Sequence, residues 1–157
     1  MEWAFTTGPP RFSGYCNAYT GGSPAGTLAS STSYTSIPLD SELFDSAGGH
    51  NNTTNPDRYV VMVPGTYHVT ASGGFSANAT GNRSVRIGVN GGAAIPSGQI
   101  ATAGMSGNTW YGNVSALVAL NAGDYLSVQM WQNSGTALAL STGATGGPSL
   151  FALWVSP

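Results

Sequence analysis

Three carboxylates stand close together in the chain, Asp40, Glu42 and Asp45. Paired carboxylates can share acid and base work on a glycosidic bond, but these sit among loop-forming residues with no orienting partner nearby. Solvated loop positions account for them better than catalysis does. The two histidines, His50 and His68, are too far apart for a local metal motif, and Cys16 is the single cysteine. Neither a zinc site nor an internal disulfide can be built from that set. Cys16 reads as a small buried filler rather than a reactive thiol, and His50 as a solvated loop residue. No nucleophile elbow, phosphate-cradling loop or Ser/His/Asp arrangement can be assembled. The sequence therefore assigns no catalytic, cofactor-binding or metal residue. Recognition has better material. Trp110, Tyr111, Tyr125 and Trp131 carry rings of the kind that stack on the apolar faces of sugars, and form a candidate glycan contact. Packing at strand ends and subunit seams accounts for the same four better than a sugar platform does. Asn51, Asn52, Asn78, Asn82 and Asn113 each begin an N-x-S/T triplet, which chance supplies in a chain this rich in Asn, Ser and Thr.

The elements that would position these residues are all short strands. Between Val114 and Trp131 two apolar runs flank Asn121-Ala122-Gly123-Asp124, a turn sequence that predicts a β-hairpin. In the second run Leu126, Val128 and Met130 alternate with Tyr125, Ser127, Gln129 and Trp131, the pattern of a strand with one face on a core. In the first run Val114, Ala116, Val118 and Leu120 make one apolar face, while the other carries Leu117 and Ala119 beside Ser115. A strand apolar on both faces asks for cover on both, and a second copy of the chain is the natural cover. Further strands are expected over Arg11 to Tyr19, in pieces between Ile37 and Phe44, and over Arg58 to Val63. Others are expected over Gly65 to Phe75, Arg83 to Val89, Ile100 to Met105, Leu138 to Leu140 and Leu150 to Val155. The last is again apolar on both faces. No segment holds a helical period, so the expectation is an all-β antiparallel sandwich of about ten strands.

The 157 residues suit one domain, here 11–157, preceded by an arm, 1–10, that carries Trp3 and Phe5 ahead of Gly8-Pro9-Pro10. Only 6% of residues are charged and lysine is absent. A soluble domain usually keeps about a quarter of its residues charged, so much of this surface is expected to be hidden in an assembly. A net charge of −2, with Arg11, Arg58, Arg83 and Arg86 as the only fixed cations, argues against nucleic-acid binding. No stretch reads as a signal peptide or a membrane span, so synthesis in a host cytoplasm and no membrane insertion are expected.

Five pieces in order carry a family resemblance. They are Leu43-Phe44-Asp45; Tyr59 with Val63-Pro64-Gly65-Thr66-Tyr67; Arg86-Ile87-Gly88-Val89-Asn90-Gly91; Leu120-Asn121-Ala122-Gly123-Asp124; and Phe151-Ala152-Leu153. Over about Arg11 to Val155 the chain resembles the globular head shared by the complement first-component q chains and the tumour necrosis factor superfamily. The resemblance implies a ten-stranded jelly roll assembled as a trimeric knob, its axis lined by the first strand, the strands from Gly65 and Val114, and the last strand. The interface residues it implies are Leu117, Ala119, Leu150, Trp154 and His68, with three copies of His68 facing one another across the axis. The family's calcium sites do not carry over, since only Asp124 matches and it serves the turn. With no G-X-Y repeat and no apolar run of spanning length among these residues, a collagen-like stalk or membrane stem is not expected.

These features together point to a non-enzymatic bacteriophage virion protein without cofactor, a minor tail or tail-tip knob serving host-surface adhesion. Capsid decoration as a head-fibre knob is the alternative, with a tumour-necrosis-factor-like ligand and a glycan hydrolase more remote. The expected partners are further copies of the chain, a host cell-surface glycan, and a neighbouring virion protein that receives Trp3 and Phe5. An arm that folds back on its own sandwich is the competing placement.

Overall fold

A computed structural model describes residues 8–92 and 94–157. The arm's Trp3 and Phe5 lie outside the described residues. Twelve strands and no helix occur among those described.

The first sheet has the order β4-β1-β12-β6-β9, formed by Ser41–Asp45, Arg11–Tyr15, Ser149–Ser156, Gly65–Phe75 and Trp110–Leu120, with every pairing antiparallel. The second has the order β3-β10-β7-β8, formed by Thr35–Ser36, Tyr125–Gln132, Asn82–Val89 and Ala94–Ala103, and β5, Tyr59–Val60, also pairs with β10. Two short pieces, β2 (Thr27–Leu28) and β11 (Leu138–Ala139), pair with each other at one end.

Period-2 alternation sets the core. Along β9 burial alternates without a break, so Val114, Ala116, Val118 and Leu120 face in. They align with Val69 and Ala71 on β6, Leu150 and Ala152 on β12, and Phe12 on β1. From the second sheet Val85, Ile87, Leu126, Val128 and Met130 close over them, all fully buried. The ring of Phe12 stacks on Tyr59 at 4.7 Å. The Tyr67 hydroxyl donates to the Val63 carbonyl at 2.7 Å, and burial pushes its phenol up to about 12.

The expected hairpin is not one. β9 pairs with β6 and β10 with β7, so Asn121–Asp124 is an arch that carries the chain from one sheet to the other. Leu120 and Leu126 meet the core from opposite sides. Turn chemistry is the same in both cases, which is why alternation and an Asn-Ala-Gly-Asp turn did not distinguish them. Asp124 builds the arch by accepting from the Asn121 amide at 2.7 Å and from Asn90 Nδ2 at 2.8 Å. Gly123 sits there at φ +93°, where a β-carbon is strained.

The expected strand from Arg11 stops at Tyr15, because the Asp40 carboxylate takes the amides of Asn17 (2.5 Å) and Ala18 (2.9 Å) and turns the chain. The strand expected over Arg58 to Val63 is only two residues long. The strand expected over Ile100 to Met105 instead runs over Ala94–Ala103, an edge strand that tolerates Pro96 and holds Ser97 at φ +61°.

Candidate functional site

The carboxylates go to local structure. Asp45 accepts from the amides of Ala47, Gly48 and His50 at 2.8–3.2 Å, and Asp40 holds the turn after β1. His50 is not a solvated loop residue: its side chain is buried, with Nδ1 3.2 Å from Glu42, Nε2 3.2 Å from the Pro56 carbonyl, and its ring 5.0 Å from that of Phe12. An exposed-loop assignment failed because the strand pairing that brings His50 over Phe12 is long-range. Cys16 is buried, and burial with Asp40 nearby pushes its thiol up to about 11. Among the described residues no group of three potential ligands is placed to hold a metal.

The four arginines are scattered. Arg83 is fully buried and donates to the carbonyls of Asn78, Thr80 and Asn82 at 2.9–3.0 Å, which staples the entry to β7. Arg11 lies over Phe44 at 5.4 Å and Arg58 over Tyr125 at 4.4 Å. Arg86 stacks on Tyr34 at 3.7 Å and donates from Nε to Gln129 Oε1 at 2.7 Å. That cluster covers the outer face of β10, so Ser127 and Gln129, expected in solvent, are buried. It joins residues distant in sequence, and no local pattern announces it.

The four candidate glycan aromatics do not share one platform. Trp110 is in the core, donating to Thr102 Oγ1 at 2.6 Å and tilted on Phe75. Tyr125 and Trp131 lie on the outer face of the second sheet, Trp131 edge-on to Tyr34 at 6.2 Å. Tyr111 is on the outer face of the first sheet, 61% exposed.

That outer face is where large apolar side chains gather without cover. Leu117 is 67% exposed, Val155 50% and Phe44 37%, with Phe151 and Leu153 half-buried beside them. Cross-strand register places Arg11, Leu153, His68 and Leu117 in one row, and Phe44, Ser13, Phe151, Thr70 and Ser115 in the next. Ala119 is exposed on the same face. Two residues expected here are elsewhere. Leu150 is fully buried inside the sandwich, and Trp154 faces inward, aligned with Tyr67 and donating from Nε1 to the Pro64 carbonyl at 3.1 Å. Both faces of the last strand are apolar, so only its register with β6 fixes which one points in. The outer members are Phe151, Leu153 and Val155. Leu117, Ala119 and His68 are on the outer face.

No family model matches the chain. It is 31% identical over 118 residues to an uncharacterized protein of Acanthamoeba polyphaga mimivirus, an alignment covering 73% of this chain and 48% of that one. The chain thus spans about half the length of the curated relative it matches. Among solved structures, the globular domain of zebrafish complement 1qA superposes with a TM-score of 0.61 at 14% identity, covering 93% of this chain and 96% of that one. Murine APRIL superposes with a TM-score of 0.64 at 12% identity, covering 93% and 99%. Identities this low carry the fold alone, and on that ground the chain is an all-β antiparallel jelly roll of the complement-q and tumour-necrosis-factor-like kind.

Proposed function

We propose that the chain is a non-enzymatic virion protein whose jelly roll assembles as a homotrimeric knob, at a bacteriophage tail or tail tip, where it serves adhesion to the host surface. The observation that carries the self-association is the outer face of β4, β1, β12, β6 and β9. It collects Leu117, Val155, Phe44, Phe151 and Leu153 on one surface, and large apolar side chains exposed together on one face, rimmed by polar residues, mark an interaction site. A relative from a virus supports the virion setting and is common to a tail knob and to capsid decoration. The engagement of Asp40, Asp45 and Glu42 with backbone amides and His50 supports a binding role over hydrolysis. In this reading Trp3 and Phe5 anchor the knob to a neighbouring virion protein, since a buried Trp is a frequent hot spot. Immunogold labelling of purified particles tests the placement. Label at the tail tip is expected; label over the capsid favours decoration, and particles free of the protein contradict the virion reading.

A further inference from the structure

The geometry points to a binding site for a neutral sugar in the cleft beside Tyr111, at the far end of β9 from Leu117. The proposal rests on the adhesion reading for its purpose, but its evidence is local. The cleft has a volume of about 290 Å³ and is walled by Ser72, Asn113, Thr145, Gly146 and Ser149 around Tyr111. That is near the small end of ligand pockets, on the order of 300 Å³, and suits a single sugar ring.

The Tyr111 ring is held from behind by bare backbone. A β-carbon on Gly74, its cross-strand partner, would stand 2.6 Å from the ring, and one on Gly146 3.1 Å from its hydroxyl. The glycines thus let the ring lie close over β6 and the loop 141–148, while 61% of the residue remains open to solvent. The loop itself is fixed. The Gly143 amide donates to the Cys16 carbonyl at 3.0 Å, and the Gly147 amide to the Gly143 carbonyl at 2.9 Å.

The chemistry of the walls selects the ligand. Ser72 and Ser149 hydroxyls, 2.7 Å apart, line one side, with Thr145 and the Asn113 amide adding donors and acceptors. None of the lining residues is charged, which disfavours phosphorylated, sulfated and carboxylated ligands. A pyranose presents an apolar C–H face edged by hydroxyls, matching one open aromatic face rimmed by hydroxyl and amide groups. Six positions separate Tyr111 from Leu117, about 20 Å at the rise of a strand, so the cleft is removed from Leu117 on the self-association face.

Saturation-transfer NMR on the whole protein with the methyl glycosides of glucose, galactose, mannose and N-acetylglucosamine tests this. At least one glycoside should show transfer and shift the amide signals of Gly73, Asn113 and Gly146. Tyr111→Ala should weaken it about tenfold or more, as loss of a stacking ring does, Asn113→Ala should weaken it measurably, and Tyr125→Ala should leave it unchanged. An unaltered melting temperature for Asn113→Ala keeps that variant informative if Tyr111→Ala is misfolded. No transfer from any of the four, binding that survives both cleft variants, or stronger binding of a sialoside overturns the proposal. Labelled protein applied to host cells separates the two readings. Cells bound equally by wild type and Tyr111→Ala leave adhesion standing without the cleft. Glycoside binding by a protein that ignores cells leaves the cleft standing without adhesion.

Discussion

His68 Nε2 lies 2.6 Å from the Ser115 hydroxyl across the ladder between β6 and β9, and Thr70 Oγ1 donates to the same oxygen at 3.3 Å. These polar groups of the outer face are therefore partnered within the chain. Covering such a face costs little desolvation, because each group carries its hydrogen bond with it. The apolar neighbours supply the gain. Leu117, directly opposite His68 in register, is the most exposed of them on β9.

Leu117→Asp should disperse the oligomer and leave the monomer folded. Taking a carboxylate out of water at a seam costs several kcal/mol, which one histidine across the ladder does not repay, enough to raise the dissociation constant about a hundredfold or more. Sedimentation velocity beside circular dichroism reads both quantities. An unchanged sedimentation coefficient would place Leu117 outside the interface.

Leu150→Ala should act on the fold instead, costing about 2–5 kcal/mol as deletion of a packed leucine does. Urea denaturation of the protein measures it, with Leu153→Ala as the comparison on the outer face. Equal losses for the two would contradict the inward phase of β12.

Gln129 bridges the Arg86 guanidinium at 2.7 Å and the Ser36 hydroxyl at 3.1 Å on the covered face of β10. Gln129→Ala strands both partners, and a loss of about 1–3 kcal/mol is expected. A denaturation midpoint indistinguishable from wild type would mean that water replaces the glutamine freely.

The Asp124 carboxylate is held below its usual range by the hydrogen bond from Asn90 and then by the Asn121 amide. A group depressed in the folded state contributes stability that is complete above its unfolded pKa and is lost as pH falls through the folded value. Asp124→Asn should accordingly flatten the decline of urea midpoints on the acid side, below about pH 4, and change little of the pH dependence near neutrality. Parallel acid slopes for variant and wild type would contradict this.

Much of this architecture was legible along the chain, and the failures have a common cause. Strand β6 was bounded correctly because Pro64-Gly65 marks its start and Tyr67, Val69 and Ala71 alternate cleanly. The inner faces of β9 and β10 followed from the same period. What alternation cannot supply is the partner. It could not tell a hairpin from an arch at Asn121–Asp124, nor choose between Leu150 and Phe151 on a strand apolar on both sides. His50 beside Glu42 and Arg86 over Tyr34 are likewise products of long-range pairing. Residue type alone marks Tyr111 as a ring that could stack on a sugar. Its cleft depends on Gly74 and Gly146 lying beneath the ring, which only the fold brings together.

The account turns on what covers the outer face of the first sheet. Multi-angle light scattering of the purified chain at micromolar concentration measures it directly. The account predicts a mass three times the 15.9 kDa of the chain, and a monomeric mass would contradict it.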